Sequence, residues 1–321
     1  MNSIGKRLRF FEGAGCGRDR ANSQYANRHR WQIFVKHARL GRLQSLHTLQ
    51  VIILALIQGV TELFPISSVG HNVIVPRLLQ WHLNQAGPAF LPFVVVLHLG
   101  TALALLIFFW KDWVDVVRGI LGRGEDVERN RHLFDILLVG TLPAVFLGFF
   151  LQNYLKSLFA SLAVASVMLI VNGVGLVIGE RLRRTEGKTL ADIGWKEALV
   201  VGLAESTALI PGISRSGATM VAGMGYGLKT SEAAHYAFLL GFPVILGAGV
   251  LEVPKLTGAA VTPGTLPLAI VGGLVAAVVA YLSVAFLTRY FRHREGDALR
   301  PFAYYCWALG IVGVLGAMLH F

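Results

Sequence analysis

Apolar residues in this chain run in long stretches separated by short polar segments, the pattern of helices that cross a bilayer rather than of a water-facing core. A spanning helix needs about 20 mostly apolar residues. Six stretches meet that need: residues 90–110, 134–151, 162–179, 233–251, 266–290 and 302–321. Two more are apolar but broken. Residues 49–81 are interrupted at Pro65-Ile66-Ser67-Ser68-Val69-Gly70-His71, and residues 198–228 at Pro211-Gly212-Ile213-Ser214-Arg215-Ser216-Gly217. Each half is too short to span. Non-helical backbone at membrane depth persists only where protein or a wet cavity satisfies it. The broken segments are therefore read as re-entrant hairpins, in preference to kinked spans. The expected fold is all-α: a polytopic membrane protein of about six spanning helices plus two re-entrant helical hairpins.

The two breaks resemble each other. Gln58 precedes Ile66-Ser67 as Glu205 precedes Ile213-Ser214, by eight residues to the isoleucine in each case. Loop charge extends the likeness. Residues 111–131 and 181–196 carry five Lys/Arg each and residues 292–300 carry three, whereas 152–160 and 252–267 carry one Lys each. The positive-inside rule places the three basic loops in the cytoplasm. The stretch at 90–110 then runs from outside to inside, the first broken segment enters from outside, and the second enters from inside. That is an inverted repeat, whose Gly/Pro-interrupted helices point to a site between the halves.

Composition changes little in this picture. The 321 residues are 55% hydrophobic and 15% charged, against about 25% charged in a soluble domain. The formal net charge is +11, and most of it lies in residues 1–48, where ten Lys/Arg face only Glu12 and Asp19. This extension has no apolar signal-peptide core. It is expected to be a disordered extension, with an arm for anionic lipid head groups as the alternative. It is also the only feature that favours nucleic acid, and none is expected as a partner. Traced from the loops, it falls on the outer side of the membrane, against the rule. Cys16 and Cys306 have no ligand spacing, so neither a zinc site nor a disulfide framework is expected.

The polar residues inside the broken segments carry the candidate chemistry. Gln58 and Glu62 share a helix face at i, i+4. A carboxylate in an apolar segment is costly and usually functional, and it can hold a divalent cation or act as a base. Ser67, Ser68 and His71 follow within nine residues: the imidazole could serve a serine as acid–base partner or itself attack phosphorus, while either serine could cap the next half-helix. At the second break, Gly212, Ser214, Arg215, Ser216 and Thr219 surround a helix start whose amides and dipole favour phosphate. The guanidinium fork matches phosphate oxygens, or pairs with Glu62 or Glu205. Glu205 is expected to support the arginine, Asn172 to bond between helices, and His98 to be structural. Asp112, Asp115, Glu125, Asp126 and Glu128 are expected in a solvated loop. No GxxxxGK[ST] motif is present, which removes the main argument for ATP or GTP.

The segment from Gln58 through Glu62, Pro65, Ser67 and Ser68 to Gly70 and His71, followed in order by Pro211 to Thr219, resembles the bacterial undecaprenyl-diphosphate phosphatase family, also called the bacitracin resistance protein family. The resemblance covers residues 49–321. One position departs from the commoner acidic pair: Gln58 stands where the family also allows Glu, which leaves Glu62 as the one carboxylate of that element and puts a two-carboxylate metal site there in doubt. The resemblance implies removal of the terminal phosphate of undecaprenyl diphosphate, a polyprenyl diphosphate lipid. This recycles the carrier for cell-wall synthesis and lowers bacitracin sensitivity. It implies dependence on Mg2+ or Ca2+ with Glu62 as ligand, and work at the outer face of the bacterial cytoplasmic membrane. Ser68 is placed first as nucleophile with His71 beside it, then His71, then water. A lipid-phosphate transporter without hydrolysis is the rival reading, with a lipid-binding scaffold behind it. A homodimer is left open.

Overall fold

The computed structural model describes residues 48–319 apart from 82, 125, 160, 185, 258–263 and 295. The basic extension expected over residues 1–48 lies, but for its last residue, outside the described residues. Those described form helices α1 (Thr48–Thr61), α2 (Ser68–Leu78), α3 (Phe90–Phe108), α4 (Trp110–Ile120), α5 (Val127–Leu158), α6 (Leu162–Leu182), α7 (Trp195–Ser206), α8 (Arg215–Gly225), α9 (Thr230–Glu252), α10 (Thr265–His293) and α11 (Arg300–Met318). Among the described residues the extended pairing is confined to one isolated bridge, Lys188 with Leu228. The fold is all-α.

Among the described residues, six helices are long and apolar enough to cross a membrane: Phe90–Phe108, Val127–Leu151, Leu162–Leu182, Thr230–Leu256, Thr265–His293 and Arg300–Met318. Their outer faces carry exposed apolar residues at helical spacing, as in Leu138, Leu142, Phe146 and Phe150 of α5 and Leu274, Val278, Leu282 and Phe286 of α10. A soluble monomer rarely exposes so much contiguous apolar surface, whereas lipid accepts it. Between helices, where lipid is no less apolar than leucine, close backbone approach does the packing. A methyl on Gly100 of α3 would lie 1.9 Å from the Gly273 carbonyl oxygen of α10, and one on Gly202 of α7 would lie 2.2 Å from the Gly140 carbonyl oxygen of α5.

The stretch expected as a charged loop at 111–131 is instead mostly helix. Trp110, Trp113, Val117 and Ile120 recur at three- and four-residue intervals along α4, an amphipathic period that overrides the loop reading. Arg131 Nε donates to the Gly119 carbonyl at 2.9 Å, which satisfies the end of α4 and ties it to α5.

The broken segments become two pairs of short helices. α1 has 14 residues, α2 has 11, α7 has 12 and α8 has 11. At 1.5 Å per residue each is about 16–21 Å long, short of a hydrocarbon core of about 30 Å. Pro65 and Pro211 fall in the breaks, where a missing amide ends a helical ladder. Each second half restarts on a serine cap: Ser67 Oγ accepts from the Gly70 amide at 3.1 Å, and Ser214 Oγ accepts from the Gly217 amide at 3.2 Å. The repeat is thus in register, so that Ser68 and Arg215 occupy the same place, the first residue of a half-helix.

Candidate active site

The two breaks are held tip to tip. Asn172, on α6, donates Nδ2 to the Pro65 carbonyl at 2.9 Å and accepts the Ser214 amide on Oδ1 at 2.9 Å. This amide joins both halves of the repeat at their breaks, and its Nδ2 also stands 3.4 Å from Cys306 Sγ of α11, the helix-to-helix bond expected of it. Ser216 Oγ reaches the Phe64 carbonyl at 3.3 Å and Ser214 Oγ at 3.1 Å, adding a second tie. Gly212 lies at φ +103°, and a methyl there would meet the Ala165 carbonyl oxygen at 2.2 Å. The turn therefore presses its backbone onto α6, and only glycine fits it without strain.

At the meeting point, Glu62 gathers four partners. Ser68 Oγ donates to its Oε2 at 2.6 Å, and Gln58 Nε2 donates to the same oxygen at 3.0 Å. His98 Nε2 stands 3.1 Å from Oε2, and Arg215 Nε is 3.3 Å from Oε1. Gln58 is in turn oriented by Asn72, whose Nδ2 donates to Gln58 Oε1 at 3.0 Å. The Gln58 Nε2–Glu62 Oε2 bond realises the expected i, i+4 pairing, with Glu62 one residue past the end of α1.

Arg215 divides its guanidinium among three acceptors: Glu62 Oε1, Glu205 Oε1 at 3.3 Å, and the Ala237 carbonyl at 2.8 Å. Neither carboxylate takes the bidentate fork, whose bonds run to about 2.7–2.9 Å. Nη2 is buried without a hydrogen-bond partner, and so is Glu205 Oε2. Unpaired buried groups are costly, and Nη2 is packed against Gly241 of α9, where a methyl would lie 2.5 Å from it.

Glu62, Ser67, Ser68, His98, Glu205, Ser214 and Arg215 line a cavity of about 200 Å³. Its remaining wall is largely apolar, including Val94 and Val95 of α3, Val145 of α5 and Ile245 and Leu251 of α9, with Glu252 also on the lining. A larger cavity of about 670 Å³ lies among Asp112, Asp115, Arg118, Asp126, Arg129 and His235, and none of the residues of the two breaks lines it. The apolar-walled cavity is the one with convergent reactive groups.

Other residues singled out in the sequence are placed elsewhere. Gln58 is fully buried behind Glu62, Ser216 and Thr219 face protein, and Gly212 shapes the turn. None of the four lines the cavity. The geometry does not bring His71 to Ser68. Its Nδ1 is 2.7 Å from the Ser67 carbonyl and its Nε2 is 2.8 Å from the Tyr305 hydroxyl, with the two rings stacked at 5.6 Å. The spacing placed His71 one helical turn beyond Ser67, and that turn spends its Nδ1 on the backbone. The imidazole beside Ser68 belongs to His98, which sequence reasoning set aside as structural. Its signal was present, an ionisable side chain inside an apolar span, but its distance from both breaks hid its contact.

Residues 51–312 match the model of the family described as "Bacitracin resistance protein BacA". The chain belongs to that family. It is 49% identical over 270 residues to a protein of Acidiphilium cryptum named "Undecaprenyl-diphosphatase", covering 82% of this chain and 96% of the relative. A protein of Granulibacter bethesdensis with the same name is 45% identical over 297 residues, or 87% of this chain and 99% of the relative. "Undecaprenyl-diphosphatase 2" of Chromobacterium violaceum is 43% identical over 272 residues, or 84% and 99%. The BacA match begins inside α1 and ends inside α11, so both breaks and every residue of the cavity lie within it.

Proposed function

We propose that this protein is a membrane phosphatase that hydrolyses undecaprenyl diphosphate to undecaprenyl phosphate and inorganic phosphate. The relatives' names give the reaction, and one observation in this chain carries it: a serine hydroxyl 2.6 Å from a buried carboxylate, which an arginine meets at 3.3 Å, on the lining of a largely apolar cavity. The apolar wall suits a prenyl chain, and the polar residues suit its diphosphate. Phosphoryl transfer asks the protein mainly for positioning and for charge stabilisation. Ser68 is the nucleophile, with Glu62 accepting its proton. Arg215 lines the cavity and supplies positive charge to the terminal phosphate, and the starts of α2 and α8, at Ser67, Ser68, Ser214 and Arg215 on the same lining, favour an anion there. Gln58, held by Asn72, keeps the Glu62 carboxylate aimed at Ser68.

A divalent cation, Mg2+ or Ca2+, is the expected cofactor. Among the described residues no group of three or more His, Cys, Asp or Glu could hold a metal ion. The residues present fit a cation completed by substrate, because Glu62 and the unpartnered Glu205 Oε2 offer hard oxygens from opposite halves of the repeat. Mg2+ commonly binds in this way, through one or two carboxylates plus phosphate oxygens and water. When bound it would neutralise phosphate charge.

The reading places the protein in the bacterial cytoplasmic membrane. The basic connections around α4, between α6 and α7, and between α10 and α11 face the cytoplasm, and the first broken segment enters from the outer side as a re-entrant pair. The test is phosphate release from polyprenyl diphosphate by the purified chain in detergent with Mg2+. Steady release that stops at one phosphate per lipid is expected. No release across metal and pH would overturn the reading in favour of transport.

A further inference from the structure

We infer that His98 is the acid–base group of the reaction, shuttling a proton at the leaving oxygen and the attacking water while Glu62 serves Ser68. This rests on the phosphatase reading.

Two histidines lie near the breaks, and their surroundings separate them. His71 has both ring nitrogens engaged away from the cavity, on the Ser67 carbonyl and the Tyr305 hydroxyl. His98 has one nitrogen anchored and one presented. Its Nδ1 lies 2.8 Å from the Val94 carbonyl, an acceptor only, so Nδ1 carries a hydrogen and the tautomer is set by the backbone of α3. Nε2 is left facing the reacting groups, 3.1 Å from Glu62 Oε2 and 3.4 Å from Ser68 Oγ. The ring lines the cavity with its side chain 14% exposed, so substrate can reach it. With Glu62 opposite, Nε2 donates when the ring carries two protons and accepts when it carries one. The charged groups around the same cavity are Glu62 from the first break, Glu205 of α7, Arg215 of α8 and Glu252 of α9.

The steps balance. Ser68 Oγ attacks the terminal phosphorus, and its proton passes to Glu62 Oε2. The Oγ–P bond forms as the bond from phosphorus to the bridging oxygen breaks. That oxygen leaves on the lipid monophosphate and takes the proton of His98 Nε2. Water then attacks the phosphoserine, giving a proton to His98 Nε2 and its hydroxyl to phosphorus. The Oγ–P bond breaks, Ser68 recovers its proton from Glu62, and inorganic phosphate leaves. Glu62 and His98 both return to their starting states.

The experiment compares the parent with H98Q and H98A, full-length in detergent with Mg2+ and polyprenyl diphosphate, at one pH. H98Q is expected to lower kcat by about 10²–10⁴-fold with KM changed by less than about 3-fold. Added imidazole should restore part of the rate in H98A. A kcat for H98Q within about 3-fold of the parent overturns the inference. So does a slow H98Q alongside an H98A that imidazole does not rescue, since that marks a packing role. A parent that releases no phosphate strikes the phosphatase reading itself, which separates the two failures.

Discussion

Glu62 and Arg215 are 153 positions apart in the chain, and their side chains meet at 3.3 Å across the junction of the two broken segments. The pair is the point where both halves of the repeat contribute to one cavity. Because Arg215 also holds Glu205 and the Ala237 carbonyl, it links the first break, α7 and α9 through a single guanidinium. Gly241, on α9, leaves room for it, since a methyl there would lie 2.5 Å from Nη2.

Arg215→Ala should lower kcat by about 10³–10⁵-fold, in the range seen for arginines that stabilise a transferring phosphoryl group. Arg215→Lys should recover little, because a point charge on a flexible stem cannot divide itself among three acceptors. Phosphate release checks both, beside a melting curve. The alanine variant should also melt lower, as it leaves the buried Glu62 and Glu205 carboxylates without their cation.

Glu62→Gln keeps the size and removes the charge. Ser68 then loses its proton acceptor, and kcat should fall about 10²–10⁴-fold. Calorimetric titration of Mg2+ in the presence of a non-hydrolysable diphosphate should show affinity at least about 10-fold weaker. Unchanged affinity would remove Glu62 from the metal site while leaving its role toward Ser68 testable by rate.

His71 acts on the position of Ser68 in this arrangement. It braces the Ser67 carbonyl, and Ser67 sits at φ +66°, a backbone region that a serine seldom occupies. His71→Ala should lose activity by about 10–10²-fold through misplacement of the neighbouring hydroxyl, with the shape of the pH profile kept. Tyr305→Phe removes only the outer brace and should cost less than His71→Ala. A pH limb that vanishes in His71→Ala would reassign proton transfer to it.

Gly212→Ala should be poorly folded rather than merely slow. The left-handed φ of +103° costs about 1–3 kcal/mol for a residue with a side chain, and the added methyl meets the Ala165 carbonyl. Lower yield and a lower melting temperature are expected, with residual activity in proportion to folded protein. A fully stable but inactive variant would instead place this glycine in direct contact with phosphate.

The number of spanning helices, their approximate extents, the two interruptions and the family-bearing motifs were legible in the sequence. They follow from local rules: uninterrupted apolar length, proline in a break, a serine cap three residues before a glycine. Glu62 and Arg215 stood out because an ionisable group in an apolar segment is costly wherever the chain goes. Even α4 could have been read from its Trp and Val spacing, had the charges around it not suggested a loop.

What the tertiary structure decided is which of these groups touch. His71 and His98 look alike as lone imidazoles in apolar helices, and nearness in sequence favoured His71. Its own helix turn and Tyr305, 234 positions away, take both its nitrogens, while α3 carries His98 to Glu62 from another element. Ser216 and Thr219 share a motif with Arg215, yet the rotation of α8 turns them into protein and Arg215 toward the cavity. Local pattern sets the element and its start. The direction of a side chain across an interface depends on how the helices rotate and approach, and that is governed by contacts such as Gly202 on Gly140, between residues far apart in the chain.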